Sequence, residues 1–153
     1  MTPEEKIKEL GYELPAAIRP QGAYAPGVLC GNLLYTAGQT PRKDGVLQYT
    51  GKVGTDLTLE EAQAAARLCA LNCLGIVRAA AGSLERVRKI VKVTGFIASA
   101  ENFTAHPKAL DGASLFLQDI FGDKAAAARS AVGVYSLPGN APIEVEMIVE
   151  LED

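Results

Sequence analysis

The sequence predicts an α+β domain: one mixed β-sheet with two helices packed on a single face. Three observations lead there. Apolar residues recur at helical spacing over a long Ala-rich stretch, about residues 58 to 81, and over a shorter one ending at Phe121. Between them, Lys89 to Ser99 alternates in polarity and is rich in β-branched residues. Paired strand-like runs bracket the whole, giving the order β-β(-β)-α-β-α-β-β. With both helices on one face, the other face of the sheet needs a cover, and a domain of this size is expected to find it in copies of itself.

The elements follow in order. Thr2 to Leu10 predicts a short amphipathic helix, with Thr2 as N-cap, Pro3 at the first helical position and Glu4 and Glu5 at the positive end of the dipole. Residues 12 to 22 hold two prolines and predict an extended connection. Two β-rich runs then flank Gly31-Asn32, a two-residue hairpin signal. Gly38 marks a point where a strand ends or another group comes close. A short strand is expected near Val46 to Tyr49. Thr58-Leu-Glu-Glu61 is a capping box that opens the long helix, and Gly82 closes it. The second helix lies within Glu101 to Phe121, and Pro107 makes it start near residue 105 or later. The chain is expected to finish with a hairpin, about 129 to 137 and 143 to 151, turning at Pro138-Gly139-Asn140.

Composition narrows the function. The 153 residues suit one domain, 48% hydrophobic and 22% charged. A net charge of -3 and a pI near 5.2 argue against nucleic acid as a partner. The start, Met-Thr-Pro-Glu-Glu-Lys, has no signal-peptide pattern, and Ala62 to Ala81 is interrupted by Gln63, Arg67, Asn72 and Arg78. A cytoplasmic protein without a membrane partner is expected. Cys69 and Cys73, four apart, share a helix face and read as small packing residues; Cys30 stands apart, so neither a disulfide framework nor a metal site is expected.

Charge inside apolar strands is the main pointer to chemistry. Arg129 opens the run Ala131-Val132-Gly133-Val134. A guanidinium stays charged and grips a carboxylate with a planar fork, and that carboxylate belongs either to a ligand or to this chain. Glu144 and Glu146 share one face of the following strand, where mutual repulsion favours acid–base work or a solvated acidic edge. Tyr24 and Tyr35 offer hydroxyls to a pocket or pack with wet tips. His106, without a partner pattern, reads as a surface or capping residue. No phosphate-binding loop, dinucleotide fingerprint, zinc spacing or nucleophile elbow occurs.

Three segments in order resemble the reactive intermediate deaminase family, also called YjgF-like or L-PSP endoribonucleases. They are Gly22-Ala-Tyr24 with Gly31-Asn-Leu-Leu-Tyr-Thr-Ala-Gly-Gln39, then Ala81 to Val87, then Ala128-Arg129-Ser130 through Leu137-Pro138 and Ile143-Glu144-Val145-Glu146. The resemblance covers about residues 22 to 151, within a single domain of residues 1–153 in which 1–21 form an extension. It implies a chorismate-mutase-like fold (bacillary type), a homotrimer with clefts between subunits, and cofactor-free hydrolysis of 2-imino or enamine acids to 2-oxo acids and ammonia. By the same resemblance Arg129 binds the substrate carboxylate, Glu144 orients water, and Tyr24 lines the pocket. Backbone near Gly38 and Ala131 would orient the imino nitrogen. No metal or other cofactor is expected, only a small carboxylate metabolite. Ala37 replaces the family's Ser before Gly-Gln, the family's helix-segment Asn is replaced near Pro107, and Ala131 replaces a frequent Cys. These departures keep two alternatives in view, a non-catalytic metabolite-binding or regulatory trimer and an endoribonuclease.

Overall fold

In a computed structural model, residues 1–16 and 23–153 are described; the expected extended connection at 12 to 22 therefore lies partly outside the described residues. Helix α1 (Pro3–Glu9) starts as predicted: Thr2 Oγ1 accepts from Glu5 N and the Glu5 carboxylate accepts from Thr2 N. Ile7 is buried, and Glu4 accepts from Leu84 N at 2.6 Å, tying the helix to the short 3-10 turn Leu84–Arg86. Strands β1 (Gly27–Cys30) and β2 (Leu33–Thr36) form the expected hairpin across Gly31-Asn32, with Gly31 at φ +63°. β3 (Arg42–Lys43) and β4 (Val46–Leu47) make a separate two-stranded ribbon, so the strand expected near Val46 to Tyr49 is short and outside the main sheet.

Helix α2 (Leu59–Ala81) is capped by Thr58 with Glu61 and stops at Gly82, φ +86°. Strand β5 (Val87–Ala98), helix α3 (His106–Phe121), strand β6 (Ala128–Val134) and strand β7 (Ile143–Leu151) complete the fold. The main sheet has the order β1-β2-β7-β5-β6, with β5 parallel to β6 and antiparallel to β7. β6 and β7 are therefore not the expected hairpin. The twelve-residue β5 lies between them and pairs with both, and the Pro138–Asn140 turn carries the chain across the end of β5. Periodicity marks strands but does not say which neighbour takes their hydrogen bonds.

Both helices cover one face. Cys69 and Cys73 of α2 approach the carbonyls of Ile143 and Val145 on β7. A Cβ on Gly95 of β5 would stand 2.6 Å from Leu110 of α3, and one on Gly112 would stand 2.1 Å from the Gln63 carbonyl. Glycine thus lets α3 press onto both the strand and α2. The core consists of the inward residues of β5 and β7, such as Val93, Ile97, Val145 and Met147, under the Ala- and Cys-lined face of α2. α2 is long and apolar enough to cross a membrane, yet most of it is buried inside this domain. Among the described residues the opposite face of the sheet carries no helix, and there Val28, Tyr35, Phe96, Ile148 and Val132 lie exposed or half-buried beside Glu144 and Glu146.

Candidate functional site

Strand parity decides where each predicted residue goes. Arg129 pairs with Val93 and Val93 with Met147, all on the helix-covered face. There Arg129 Nη1 donates to Asp111 Oδ1 at 2.7 Å and to Ser114 Oγ at 3.1 Å, both on α3. The intramolecular ion pair, one of the two readings of this Arg, is thus present. It engages Nη1; among the described residues the Nε and Nη2 donors have no partner, so one edge of the fork remains for a ligand. The surroundings give it room. An open cavity of about 300 Å³ runs along the C-terminal half of α3, with Arg129, Ser114, Gln118, Val93 and Leu117 among its walls. Ala131 and Gly133 follow Arg129 on the same face of β6.

Glu144 lies on the other face. It pairs with Phe96, next to Glu146 opposite Thr94. Gly38 meets it there: a Cβ on Gly38 would stand 2.9 Å from the Glu144 carboxylate. β2 ends at Thr36, and the chain then re-pairs with β7 through Gln39 N to Val145 O at 2.8 Å and Val145 N to Gln39 O at 2.9 Å. Buried Asn72 fixes the next turn by donating to the carbonyls of Thr40 and Arg42. Burial, and then the neighbouring Glu146, push the Glu144 carboxyl above its ordinary range. A carboxyl that holds its proton more tightly than usual suits acid–base work on water.

The structure therefore brings Gly38 to Glu144, and Arg129 to Ala131, but separates the two groups by the thickness of the sheet. Tyr24 is farther off. It precedes β1, at the opposite edge from β6, and four strand spacings amount to about 19 Å. It is exposed and makes contacts of its own.

Three residues of α3 stand out only in the structure: Asp111 and Ser114, which hold Arg129, and His106 at the start of the helix. The first two lie at α3 positions whose spacing, three apart, puts them on one helix face towards β6, a signal visible only once Arg129 is known to lie beneath that helix. His106 opens α3, and its Nε2 is 3.0 Å from Ser99 Oγ.

Comparison with known proteins places this geometry in context. The profile of a family described as "YjgF/chorismate mutase-like, putative endoribonuclease" matches residues 4–151. Protein TCP17 of Trypanosoma cruzi is 40% identical over 148 residues, spanning 96% of this chain and 92% of the relative. A 2-iminobutanoate/2-iminopropanoate deaminase of Dermatophagoides farinae is 36% identical over 138 residues, spanning 90% and 93%. The crystal structure of Atu1372 from Agrobacterium tumefaciens, a protein whose function is given as unknown, superposes with a TM-score of 0.92 at 42% identity, over 99% of this chain and 94% of that one.

Proposed function

The chain belongs to the YjgF/chorismate mutase-like family, and from that premise we propose that it hydrolyses small 2-imino or enamine carboxylic acids to 2-oxo acids and ammonia. The observation that carries this reading is Arg129. A permanent cation is braced by Asp111 and Ser114 at the wall of an open cavity, with one edge of its fork unused among the described residues. That edge fits a ligand carboxylate, and fixing the carboxylate fixes the imine carbon two atoms away. An imine is already electrophilic, so positioned water and one proton-exchanging group suffice. Glu144, with its raised pKa and its seat against Gly38, is the group for water. A relative 36% identical carries a deaminase name of this type, which supports the substrate class.

Arg129 and Glu144 cannot meet within one chain, because the sheet stands between them. A site that uses both is therefore built between copies. The uncovered, partly apolar sheet face and the two free edge strands, β1 and β6, suit such packing, and a closed homotrimer with a cleft at each boundary satisfies both. Tyr24, at the β1 edge, would then approach the Arg129 of a neighbouring copy.

The test generates 2-iminopropanoate in situ and follows pyruvate and ammonia, with the molecular mass in solution measured on the same sample. Acceleration over buffer that disappears in Arg129→Ala supports the reading. No acceleration, or full activity in Arg129→Ala, overturns it.

A second reading has its own observation. Arg129 already holds a resident carboxylate, Asp111, and Ala37 stands where the family resemblance implies a Ser hydroxyl. A non-catalytic carboxylate-binding oligomer would bind 2-oxo acids at Arg129 without turnover.

A further inference from the structure

Building on the deaminase reading, we propose that the cavity beside Arg129 receives the substrate's own side chain, and that it selects 2-imino acids whose side chain is aliphatic and larger than methyl. The first observation is surplus room. The cavity measures about 300 Å³, a size at which pockets begin to take drug-sized ligands. The smallest substrate of the class, 2-iminopropanoate, carries only a methyl group and would leave most of that space unfilled.

The wall is apolar where it is deepest. Val93 of β5 and Leu117 of α3 are buried, and both line the cavity. Ala125 and Ala127, half-buried against the same core, are further wall residues. An aliphatic group laid against this wall leaves water and gains the stabilisation of apolar burial. The alanines keep the space open, since longer side chains at those positions would occupy it.

Anchor and cavity adjoin on two elements. Ser114, which accepts from Arg129 Nη1, is followed one turn later by Leu117 and Gln118, so the wall runs on from the anchor towards the C-terminal end of α3. On the sheet, Val93 is the partner of Arg129 across β5 and β6, and Ala127 precedes Arg129 by two residues. In a 2-imino acid the side chain leaves C2, the carbon that also bears the carboxylate. A carboxylate on the free edge of the Arg129 fork therefore holds C2 beside the cavity, and a butyl-sized chain reaches along the wall. C2 and its nitrogen stay at the mouth, open to water.

The rim adds a second criterion. Gln118 and Asp123 are exposed and line the same cavity. Among the described residues the Asp123 carboxylate takes part in no ion pair. An acidic side chain would bring a second carboxylate beside it, and like charges repel. The cavity thus favours an aliphatic chain over an acidic one of similar length.

The test reads binding with the stable 2-oxo acids. Pyruvate, 2-oxohexanoate and 2-oxoglutarate are titrated by calorimetry into the full chain, as wild type and as Ala127→Leu. The methyl NMR signals of Val93 and Leu117 are followed in the same titrations of wild type. Turnover of 2-iminopropanoate and 2-iminohexanoate, made in situ by an amino-acid oxidase, is measured alongside. The expected result is that 2-oxohexanoate binds at least about 10-fold tighter than pyruvate and tighter than 2-oxoglutarate, with saturable shifts of the Val93 and Leu117 methyl groups. In Ala127→Leu the preference for 2-oxohexanoate over pyruvate should fall to near parity. Equal or weaker binding of 2-oxohexanoate than of either other acid, a preference without the methyl shifts, or a preference that survives in folded Ala127→Leu overturns the proposal. Turnover of 2-iminopropanoate that depends on Arg129 then leaves the deaminase reading standing. Should Ala127→Leu not fold, the wild-type affinities and shifts decide. The preference and the shifts without turnover of either imine remove the deaminase reading but keep the cavity as the side-chain pocket of a carboxylate-binding site. Neither binding nor turnover overturns both.

Discussion

Gly38, just past the end of β2, and Glu144 of β7 are matched: the glycine's missing side chain is the space that the carboxylate occupies, at 2.9 Å from where a Cβ would be. The contact is with the far end of a flexible side chain. Gly38→Ala should therefore cost the fold little, under about 1 kcal/mol, the low end of overpacking. It should move the Glu144 carboxylate and lower kcat to near the level of Glu144→Gln. Kinetics of the two single variants and the double variant check this, since the effects should not add.

The raised pKa of Glu144 has a consequence for stability. In the unfolded chain the carboxyl loses its proton near the ordinary value of 4.5, whereas burial and Glu146 hold the proton longer in the fold. The contribution is thus favourable below that pH and is lost as pH rises through the folded pKa. Glu144→Gln should stabilise the protein at neutral pH, and the difference should vanish below about pH 4. Denaturant titrations across that range measure it.

Arg129→Ala separates binding from folding. The Arg129–Asp111 pair is only partly buried, so its loss should cost at most about 1 kcal/mol of stability. Affinity for 2-oxo acids should fall about 10- to 100-fold, as expected for a charge-assisted hydrogen bond of about 1.5–3 kcal/mol. Calorimetry and thermal melts on one preparation read both.

Gly112→Ala has the opposite profile. The added methyl would meet Gln63 backbone at 2.1 Å, and backbone cannot swing away as a side chain does. Separation of α2 from α3 should cost about 3 kcal/mol, or roughly 6–12 °C in melting temperature for a chain of this size.

Thiol reactivity should follow burial. Burial pushes both helix thiols up, Cys73 to about 12, whereas Cys30 is exposed on β1. A disulfide reagent should titrate no more than one thiol in the native protein and all three after denaturation.

Much of the fold was legible because its signals are local. Both capping boxes, Gly82 and the Gly31-Asn32 turn act within a few residues, and each element they bound appears where expected. The partner of β6 was not legible, since pairing with β5 depends on the whole sheet. The site divides the same way. Arg129 and Glu144 were visible as charge in apolar strands. That they face opposite sides follows from strand pairing, and the contacts of Arg129 with Asp111 and Ser114 exist only after α3 docks on β6.

The separation of Arg129 from Glu144 by the sheet has a genetic counterpart. If each working cleft takes the two residues from different chains, a mutant lacking one residue can lend the other. Co-expressed Arg129→Ala and Glu144→Gln chains, each inactive by itself, would rebuild intact clefts at about a quarter of the boundaries under random mixing. Two defective copies would then complement each other, as a protein with both residues on one side of its sheet could not.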